Sequence, residues 1–123
     1  MDSNSAQSLC REIIAIDPSI RFAGIANQMG SLLAFQARQG LELLFSQRDL
    51  EDNALTAALR MKTRKDYEGK LGKSIYTFAL YEKVKRASIP FRSGQLLLMV
   101  SFDTEAEHEP IILNKILPRL EQT

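Results

Sequence analysis

Hydrophobic residues recur along the chain at two different spacings, which predict where helices and strands lie. In the first segment, SAQSLCREIIAI, apolar residues stand at i, i+4 and i+7: Leu9, Ile13 and Ile16. One apolar stripe at this spacing is typical of an amphipathic helix. Ser3 or Ser5 is expected to cap its start. Asp17-Pro18 is expected to end it, because the residue before a proline avoids the helical region.

Two short apolar runs follow, IRFAGIA and SLLAFQA, separated by the polar break NQMG. Two β-type runs joined by a short break with Asn and Gly predict a β-hairpin. We expect Asn27 and Gly30 to frame its turn and Gly40 to close the second strand. Gly24 is expected to leave room inside the sheet where a neighbour packs closely.

The segment from Leu41 to Glu68 is predicted to be helical over much of its length. Its apolar stripe comprises Leu50, Ala54, Ala57 and Met61, widened by Leu55, Ala58 and Leu59. Acidic residues come early in this segment and basic residues come late. That arrangement complements the dipole of a helix at both ends.

Three strand-like runs come next: KSIYTFALYE, KVKRASIPF and QLLLMVSF. The first is rich in β-branched and aromatic residues. Pro90 is expected at the end of the second run or on a sheet edge, because proline cannot donate to a ladder. The third run is apolar at successive positions, which predicts a strand buried on both faces.

The last segment predicts a helix with a stripe of Leu113, Ile116, Leu117 and Leu120. Thr104 and Glu107 fit a capping box. Pro110 fits the first turn, and Pro118 is expected to distort or shorten the end. The whole order is α-β-β-α-β-β-β-α. It predicts an α+β fold, a five-stranded antiparallel sheet with packed helices.

Composition places the chain among ordinary globular proteins and sets limits on its function. The 123 residues predict one domain, residues 1–123, with 45% hydrophobic and 25% charged residues. A net charge of +1 gives no overall bias toward nucleic acid or membrane. No apolar run is long enough to span a bilayer. The polar N-terminus, MDSNSAQS, lacks the basic region of a signal peptide, so we expect a cytoplasmic protein.

The glycines at 24, 30 and 40 raise the question of a phosphate-binding loop. The stretch lacks G-x-x-x-x-G-K-[ST] and G-x-G-x-x-G, and the element after it is a strand. A phosphate loop needs a helix N-terminus aimed at the anion. We therefore interpret these glycines as turn and packing residues.

No set of residues predicts catalysis or a metal site. Cys10, the one cysteine, falls between buried-looking helix positions and has no base near it in sequence. His108 lies among glutamates in TEAEHEP, which we interpret as an acidic helix start. The DYE sequence at 66–68 is interpreted as an ordinary loop after a helix. We expect a protein that is not an enzyme and needs neither cofactor nor metal.

The stretch IRFAGIANQMGSLLA resembles the first hairpin of roadblock (dynein light chain-like) domains, in the wider profilin-like and longin-like group. YTFALYEKVKRASIPF and GQLLLMVSF resemble their third to fifth strands. The likeness runs from about Ser5 to Leu120. The phrases DPSIRFAGIANQMG and YTFALYEKVKRASIP are also similar to small uncharacterised archaeal proteins of ammonia-oxidising lineages, which have no assigned activity to carry over.

The roadblock resemblance implies a sheet order of 2-1-5-4-3, with the third strand on an edge. It also implies dimers that bind small Ras-like GTPases or scaffold partners without catalytic residues. An exposed edge with so much apolar surface is an aggregation hazard. We therefore predict a homodimer whose sheet continues across the interface, through Ile75, Tyr76, Phe78, Leu80 and Tyr81.

Basic residues are concentrated in one part of the chain. Between positions 60 and 92, ten of them face three acidic residues, a net +7. Such a patch is suited to nucleic-acid phosphates, an acidic membrane surface or an acidic partner. Nine of the ten form the candidate anion or partner site: Arg60, Lys62, Arg64, Lys65, Lys70, Lys73, Lys83, Lys85 and Arg86. The alternative is a solvated helix end and strand ends that need not be adjacent.

Three functions remain open from the sequence. The first is a dimeric, non-enzymatic interaction module that docks on a partner such as a small GTPase. The second is a small-ligand sensor of the PAS or GAF type, which needs a cavity under a covering helix. The third is a nucleic-acid binder that uses the basic segment, whose affinity would fall steeply with salt.

Overall fold

The structure, a computed structural model, describes residues 1–123. Its elements in chain order are α1 (Ser3–Ile14), β1 (Ile20–Asn27), β2 (Leu32–Ala37), α2 (Gln47–Lys65), α3 (Glu68–Leu71), β3 (Thr77–Leu80), β4 (Lys85–Phe91), β5 (Leu96–Phe102), α4 (His108–Ile111), a π-helical turn (Ile112–Ile116) and α5 (Leu117–Glu121).

The five strands form one sheet in the order β2-β1-β5-β4-β3, and every neighbouring pair is antiparallel. β5 lies at the centre. β3 lies at one edge and pairs only with β4. The predicted α+β fold is confirmed, and the strand order is the one that the roadblock resemblance implies.

Alternation along β5 explains why both faces of the sheet are covered. Leu98 and Phe102 belong to the main core cluster, which includes residues of α1 and of the C-terminal helices. Leu97 and Met99 point to the other face and pack with Ala54 and Met61 of α2. Side chains two apart in a strand share a face, so the fold has three layers: helices, sheet, helix.

The first helix begins and ends differently from the prediction. Asp2 caps it, because the Ser5 backbone N–H donates to Asp2 Oδ1 at 2.7 Å. The helix ends at Ile14, so Ile16 lies beyond it rather than on its stripe. The buried stripe is Ala6, Leu9, Cys10 and Ile13.

The second helix is shorter than predicted at its start because Ser46 caps it. The Asp49 backbone N–H donates to Ser46 Oγ at 3.2 Å, and the Ser46 N–H donates to Asp49 Oδ2 at 3.0 Å. This capping box leaves residues 41–45 as irregular chain. The buried positions are Leu50, Ala54, Ala58 and Met61. Of the residues predicted to widen the stripe, Ala58 is buried, whereas Leu55 and Leu59 are exposed.

The first hairpin turns where the sequence places the turn. The Gly30 N–H donates to the Asn27 carbonyl at 3.0 Å, and Asn27 Oδ1 accepts from the N–H groups of Met29 and Ser31. Gly30 has a φ of +85°, which glycine adopts at little cost. A Cβ there would lie 2.7 Å from Leu55 Cδ1, so Gly30 also lets α2 approach the turn.

The C-terminal helix departs from its predicted start and shape. Neither Thr104 nor Glu107 provides a side-chain cap, and the helix begins at His108. The Leu117 N–H bonds to the Ile112 carbonyl in a widened π-helical turn directly before Pro118. Pro118 lies at the start of α5, where a missing N–H is tolerated. Ile112 and Ile116 are buried, while Leu113 is exposed.

Candidate interaction surface

Exposed apolar side chains are concentrated in one segment of the chain. Twelve large hydrophobic residues are exposed, and ten of them lie between Leu44 and Tyr81. Only Met29 and Leu113 fall outside that segment. Scattered exposed hydrophobics need no explanation, whereas a concentration of them is typical of an interaction site. The segment includes the outer surface of α2 and the edge strand β3.

The backbone of the edge strand is open to a partner. The Tyr81 N–H donates to the Val84 carbonyl at 2.9 Å, so Tyr81 and Val84 are a hydrogen-bonded pair of the β3–β4 hairpin. Bonded and non-bonded pairs alternate along an antiparallel ladder. The N–H and C=O groups of Phe78 and Leu80 therefore point away from β4, toward the free edge. The Leu80 side chain is 68% exposed.

The five residues predicted for the edge do not all lie in β3. The strand is limited to Thr77–Leu80, so Ile75 and Tyr76 precede it and Tyr81 follows it. Tyr76 is half-buried and packs against the main core cluster. The Phe78 ring stacks on the His108 imidazole, with centroids 3.9 Å apart and planes 7° apart. Ile75, Leu80 and Tyr81 are the most exposed of the five.

A cleft of about 170 Å³ runs beside the edge strand, between α2, residues 41–45 and the β3–β4 side of the sheet. We call it the β3 cleft. The Arg86 guanidinium lies 5.5 Å from the centre of the Phe45 ring and 5.9 Å from that of Tyr81, which is cation–π geometry. Arg60 and Arg64 of α2 also line the cleft.

The size of the β3 cleft bears on the sensor hypothesis. Small-molecule pockets typically measure about 300–1,000 Å³ and enclose most of the ligand. The β3 cleft is smaller and opens at the surface. On the opposite face of the sheet, large aliphatic side chains from the strands, α1 and the C-terminal helices fill the core. The β3 cleft therefore gives the PAS- or GAF-type hypothesis no support.

The ten basic residues of positions 60–92 do not form one patch. Arg60, Arg64 and Arg86 line the β3 cleft. Arg64 also lines a second cleft, together with Lys65 and Lys73. The Lys85 Nζ donates to the Ala106 carbonyl at 2.7 Å, on the α1 side of the sheet. The remaining four line neither cleft: Lys62, Lys70, Lys83 and Arg92.

These ten residues share one electrostatic property: none of them forms a salt bridge. The four salt bridges of the chain involve Arg21, Arg38, Lys115 and Arg119. The positive charge of the 60–92 segment is therefore not neutralised within the chain. It remains available to an anionic group from outside.

A cluster of ionic contacts around Asp103 lies elsewhere, and no pattern in the sequence indicated it. Asp103 accepts hydrogen bonds from Arg38 Nη1 at 2.7 Å and from Arg21 Nη1 at 3.1 Å. The Arg38 bond, together with that of Arg21, holds the pKa of the Asp103 carboxyl below its usual value. These arginines are 65 and 82 positions from Asp103 in sequence, so no local pattern could have paired them.

Cys10 and His108 are the two groups that were weighed for catalysis or metal binding. Cys10 is fully buried, and burial raises the pKa of its thiol to about 12, which disfavours the nucleophilic thiolate. Burial, with the nearby Lys85 charge, lowers the pKa of His108. The buried His108 Nδ1 has no hydrogen-bond partner. No three His, Cys, Asp or Glu side chains converge on a point where they could share a metal ion.

No helix is both long and apolar enough to cross a membrane. The fold as a whole is that of the roadblock/LC7 class. The gliding protein MglB of Thermus thermophilus superposes with a TM-score of 0.71 at 16% identity, covering 94% of this chain and 88% of that one. A roadblock/LC7 domain from Streptomyces avermitilis superposes with a TM-score of 0.65 at 12% identity, covering 94% of this chain and 97% of that one. An MglB structure with a tetrameric arrangement gives 0.73 at 16%, covering 98% and 90%.

Sequence comparison places the chain more narrowly within this class. It belongs to DUF6659, a family of unknown function, whose family model matches residues 2–116. No curated protein sequence matches the chain. At identities of 12–16% the solved structures establish the shared fold.

Proposed function

We propose that this protein is a non-enzymatic, homodimeric interaction module that docks on a partner protein such as a small Ras-like GTPase. The observation that carries the proposal is the unpaired edge of β3, in or beside which four exposed apolar side chains lie: Ile75, Phe78, Leu80 and Tyr81. A second copy of the chain supplies both an edge of the same kind and an apolar surface to cover it.

Strand pairing is the first contact of the proposed dimer. Two β3 strands related by a two-fold axis perpendicular to the sheet pair antiparallel and continue the sheet into the second copy. The outward-facing backbone groups of Phe78 and Leu80 then find partners, which removes an open edge. The same pairing buries the side chains of Leu80 and Tyr81.

Charge along α2 supports the same symmetry. The helix carries acidic residues early, Asp49, Glu51 and Asp52, and basic residues late, Arg60, Lys62, Arg64 and Lys65. A two-fold axis perpendicular to the sheet sets the two α2 helices antiparallel on one face. The acidic half of each helix then lies on the same side as the basic half of the other, which favours this pairing over a parallel one.

The GTPase is proposed from the roadblock resemblance together with the outer surface of α2. Leu55 and Leu59 stand four residues apart and are exposed, so they form an apolar strip on the helix. Such a strip suits a groove on a partner. Docking would hold or shift the switch segments of the GTPase, which are ordered by its bound nucleotide.

Light scattering tests the dimer. At micromolar concentration the expected mass is twice the chain mass of 13.9 kDa. A monomer at that concentration would defeat the dimer proposal.

Calorimetry with a small Ras-like GTPase from the same organism tests the partner. The GTPase is loaded with GDP or with a non-hydrolysable GTP analogue. We expect the protein to bind one of the two nucleotide states. Leu59→Asp should abolish this binding. Met29→Asp should retain it, because it makes the same kind of apolar-to-charged change at an exposed residue outside the segment from Leu44 to Tyr81. Equal binding of both nucleotide states, or none, would refute a switch-dependent partner.

A further inference from the structure

A second cleft, of about 360 Å³, lies at the C-terminal end of α2 and is separate in chemistry from the β3 cleft. Six parts of the chain line it: the last turns of α2, α3, residues 73–77, β4, the β4–β5 turn and β5. Two apolar side chains on the α2 face of the sheet, Met61 and Leu97, form its floor. We call it the basic cleft.

The walls of the basic cleft carry hydrogen-bond donors from separate elements. Three are cationic, Arg64, Lys65 and Lys73. Four are hydroxyls, Ser74, Thr77, Ser88 and Ser93. Against them stands one carboxylate, Glu68, so the lining carries a net charge of +2 (three minus one).

The cations of the basic cleft have no partner in the chain. Arg64, Lys65 and Lys73 form no salt bridge and no side-chain hydrogen bond. The Lys65 side chain extends across the β4–β5 turn. A Cβ built on Gly94 would lie 3.0 Å from Lys65 Cε and 3.1 Å from Lys65 Nζ. Gly94 therefore gives the ammonium group room beside the turn.

The helix dipole explains only part of this arrangement. Basic residues in the last turn of a helix are stabilised by its negative end, which accounts for Arg64 and Lys65. It does not account for Lys73, which follows α3, or for the four hydroxyls on other elements. Convergence of donors from several elements on one concave site is typical of ligand binding.

The geometry points to a binding site for a small phosphorylated molecule in the basic cleft. A phosphoryl group offers several acceptor oxygens and a charge opposite to that of the lining. Arg binds it through a planar fork and Lys as a point charge. The hydroxyls donate to the remaining oxygens, and the apolar floor accommodates the organic part of the ligand. The site does not depend on dimerisation or on the proposed GTPase partner.

Titration calorimetry on the full chain tests the site, with inorganic pyrophosphate and ADP as probes at low salt. The double variant Lys65→Gln/Lys73→Gln is compared with Lys62→Gln/Lys70→Gln, which removes the same charge from lysines outside both clefts. All four lysines are exposed, so folding is expected to be retained and is checked by circular dichroism. We expect at least tenfold weaker binding in the first variant and less than a twofold change in the second. The first variant removes two charged hydrogen-bond donors from the site, and hydrogen bonds to charged groups contribute more binding free energy than neutral ones.

Three outcomes would overturn the site: no heat with either probe, equal weakening in both double variants, or displacement of ADP by a single-stranded RNA that binds more tightly. The second would show general attraction to a basic surface, and the third would favour the nucleic-acid hypothesis. Because the chain is used alone, none of these results depends on the GTPase experiment.

Discussion

At the scale of single residues, Asp103 holds the ends of three strands together. It follows β5 directly, Arg21 lies in β1 and Arg38 follows β2. The Asp103 backbone N–H also donates to the Ser19 carbonyl at 2.9 Å. The side chains of this cluster are partly shielded, with Asp103 30% exposed. Shielding and shared hydrogen bonds make such a cluster worth more than an isolated surface pair.

We expect Asp103→Asn to destabilise the fold by about 1–2 kcal/mol, because two arginines lose a charged acceptor. Urea denaturation at pH 7 measures the change. The folded-state pKa of Asp103 lies below its usual value of 3.8. The stabilisation is therefore fully present above pH 3.8 and is lost as the pH falls through the folded pKa. The difference in the free energy of unfolding between Asp103→Asn and the wild type should therefore shrink in that acidic range.

Glu105→Gln is the matched control for Asp103→Asn. Glu105 is exposed, lies two positions away and forms no salt bridge. It should leave stability nearly unchanged. If both variants lose the same stability, the effect comes from net charge and not from the Asp103 cluster.

At the scale of elements, the N-terminal boundary of α2 depends on its helix cap. The Ser46–Asp49 capping box sets the first residue of the helix, and that boundary leaves residues 41–45 free to form one wall of the β3 cleft. The helix then packs its small residues Ala54 and Ala58 closely on the sheet. The capping residue thus shapes the candidate interaction surface as well as the helix.

Ser46→Ala is expected to cost about 1 kcal/mol of stability, since the Asp49 N–H loses its acceptor at the helix start. Thermal or urea unfolding followed by circular dichroism measures it. Ser8→Ala, an exposed serine inside α1, should be neutral or slightly stabilising because alanine is the better helix former. A neutral Ser46→Ala would show that the cap contributes little.

The edge strand makes a separate prediction about assembly. Leu80→Asp puts a charge on the proposed pairing edge, where burying it against a second copy is unfavourable. We expect monomers by light scattering at concentrations where the wild type is dimeric, with the fold intact. Met29→Asp is the control, because Met29 is 77% exposed but lies in the β1–β2 turn. A Leu80→Asp dimer as tight as the wild type would refute β3 pairing.

At the scale of the whole molecule, one face of the sheet has a larger buried core than the other. On one face, α1 and the C-terminal helices pack against the strands in a single cluster of twenty buried residues. On the other face α2 contributes to a cluster of five, and the β3 cleft opens beside it. In the proposed dimer, the second copy would bind the folded chain and so stabilise it.

Thermal stability should therefore depend on protein concentration. For a dimer that unfolds to separate chains, mass action raises Tm with concentration, and we expect several degrees for a hundredfold increase. Differential scanning calorimetry over that range measures it. The shift should vanish in Leu80→Asp and persist in Met29→Asp. A wild-type Tm independent of concentration would contradict the dimer.

Much of the fold could be predicted from local patterns because strands and helices have different periods. The five strands were found in order, and β5 was recognised as central from its uninterrupted apolar run. Helix boundaries were less accurate. Ser46 was overlooked because the apolar residues before it, such as Leu43 and Leu44, continued the hydrophobic pattern. Hydrogen bonds of the cap, not hydrophobicity, set that boundary.

The candidate sites could be predicted only in part, because they depend on which residues meet across the fold. The basic segment was visible in the sequence, but its division between two clefts was not. Lys85 and Arg86 are neighbours in sequence and point to opposite faces of the sheet, since strand side chains alternate. One faces the Ala106 carbonyl, and the other faces Phe45 and Tyr81.

The sequence by itself determined the order of the five strands, the hairpin at Asn27–Gly30 and the position of β5, because each follows from spacing or from turn residues close together in the chain; the short helix α3 was not predicted. Tertiary structure alone decided that Asp103 joins Arg21 and Arg38, that the cations lack carboxylate partners, and that α2 leaves a cleft beside β3. Those features join residues tens of positions apart, and chain folding, not local propensity, brings such residues into contact.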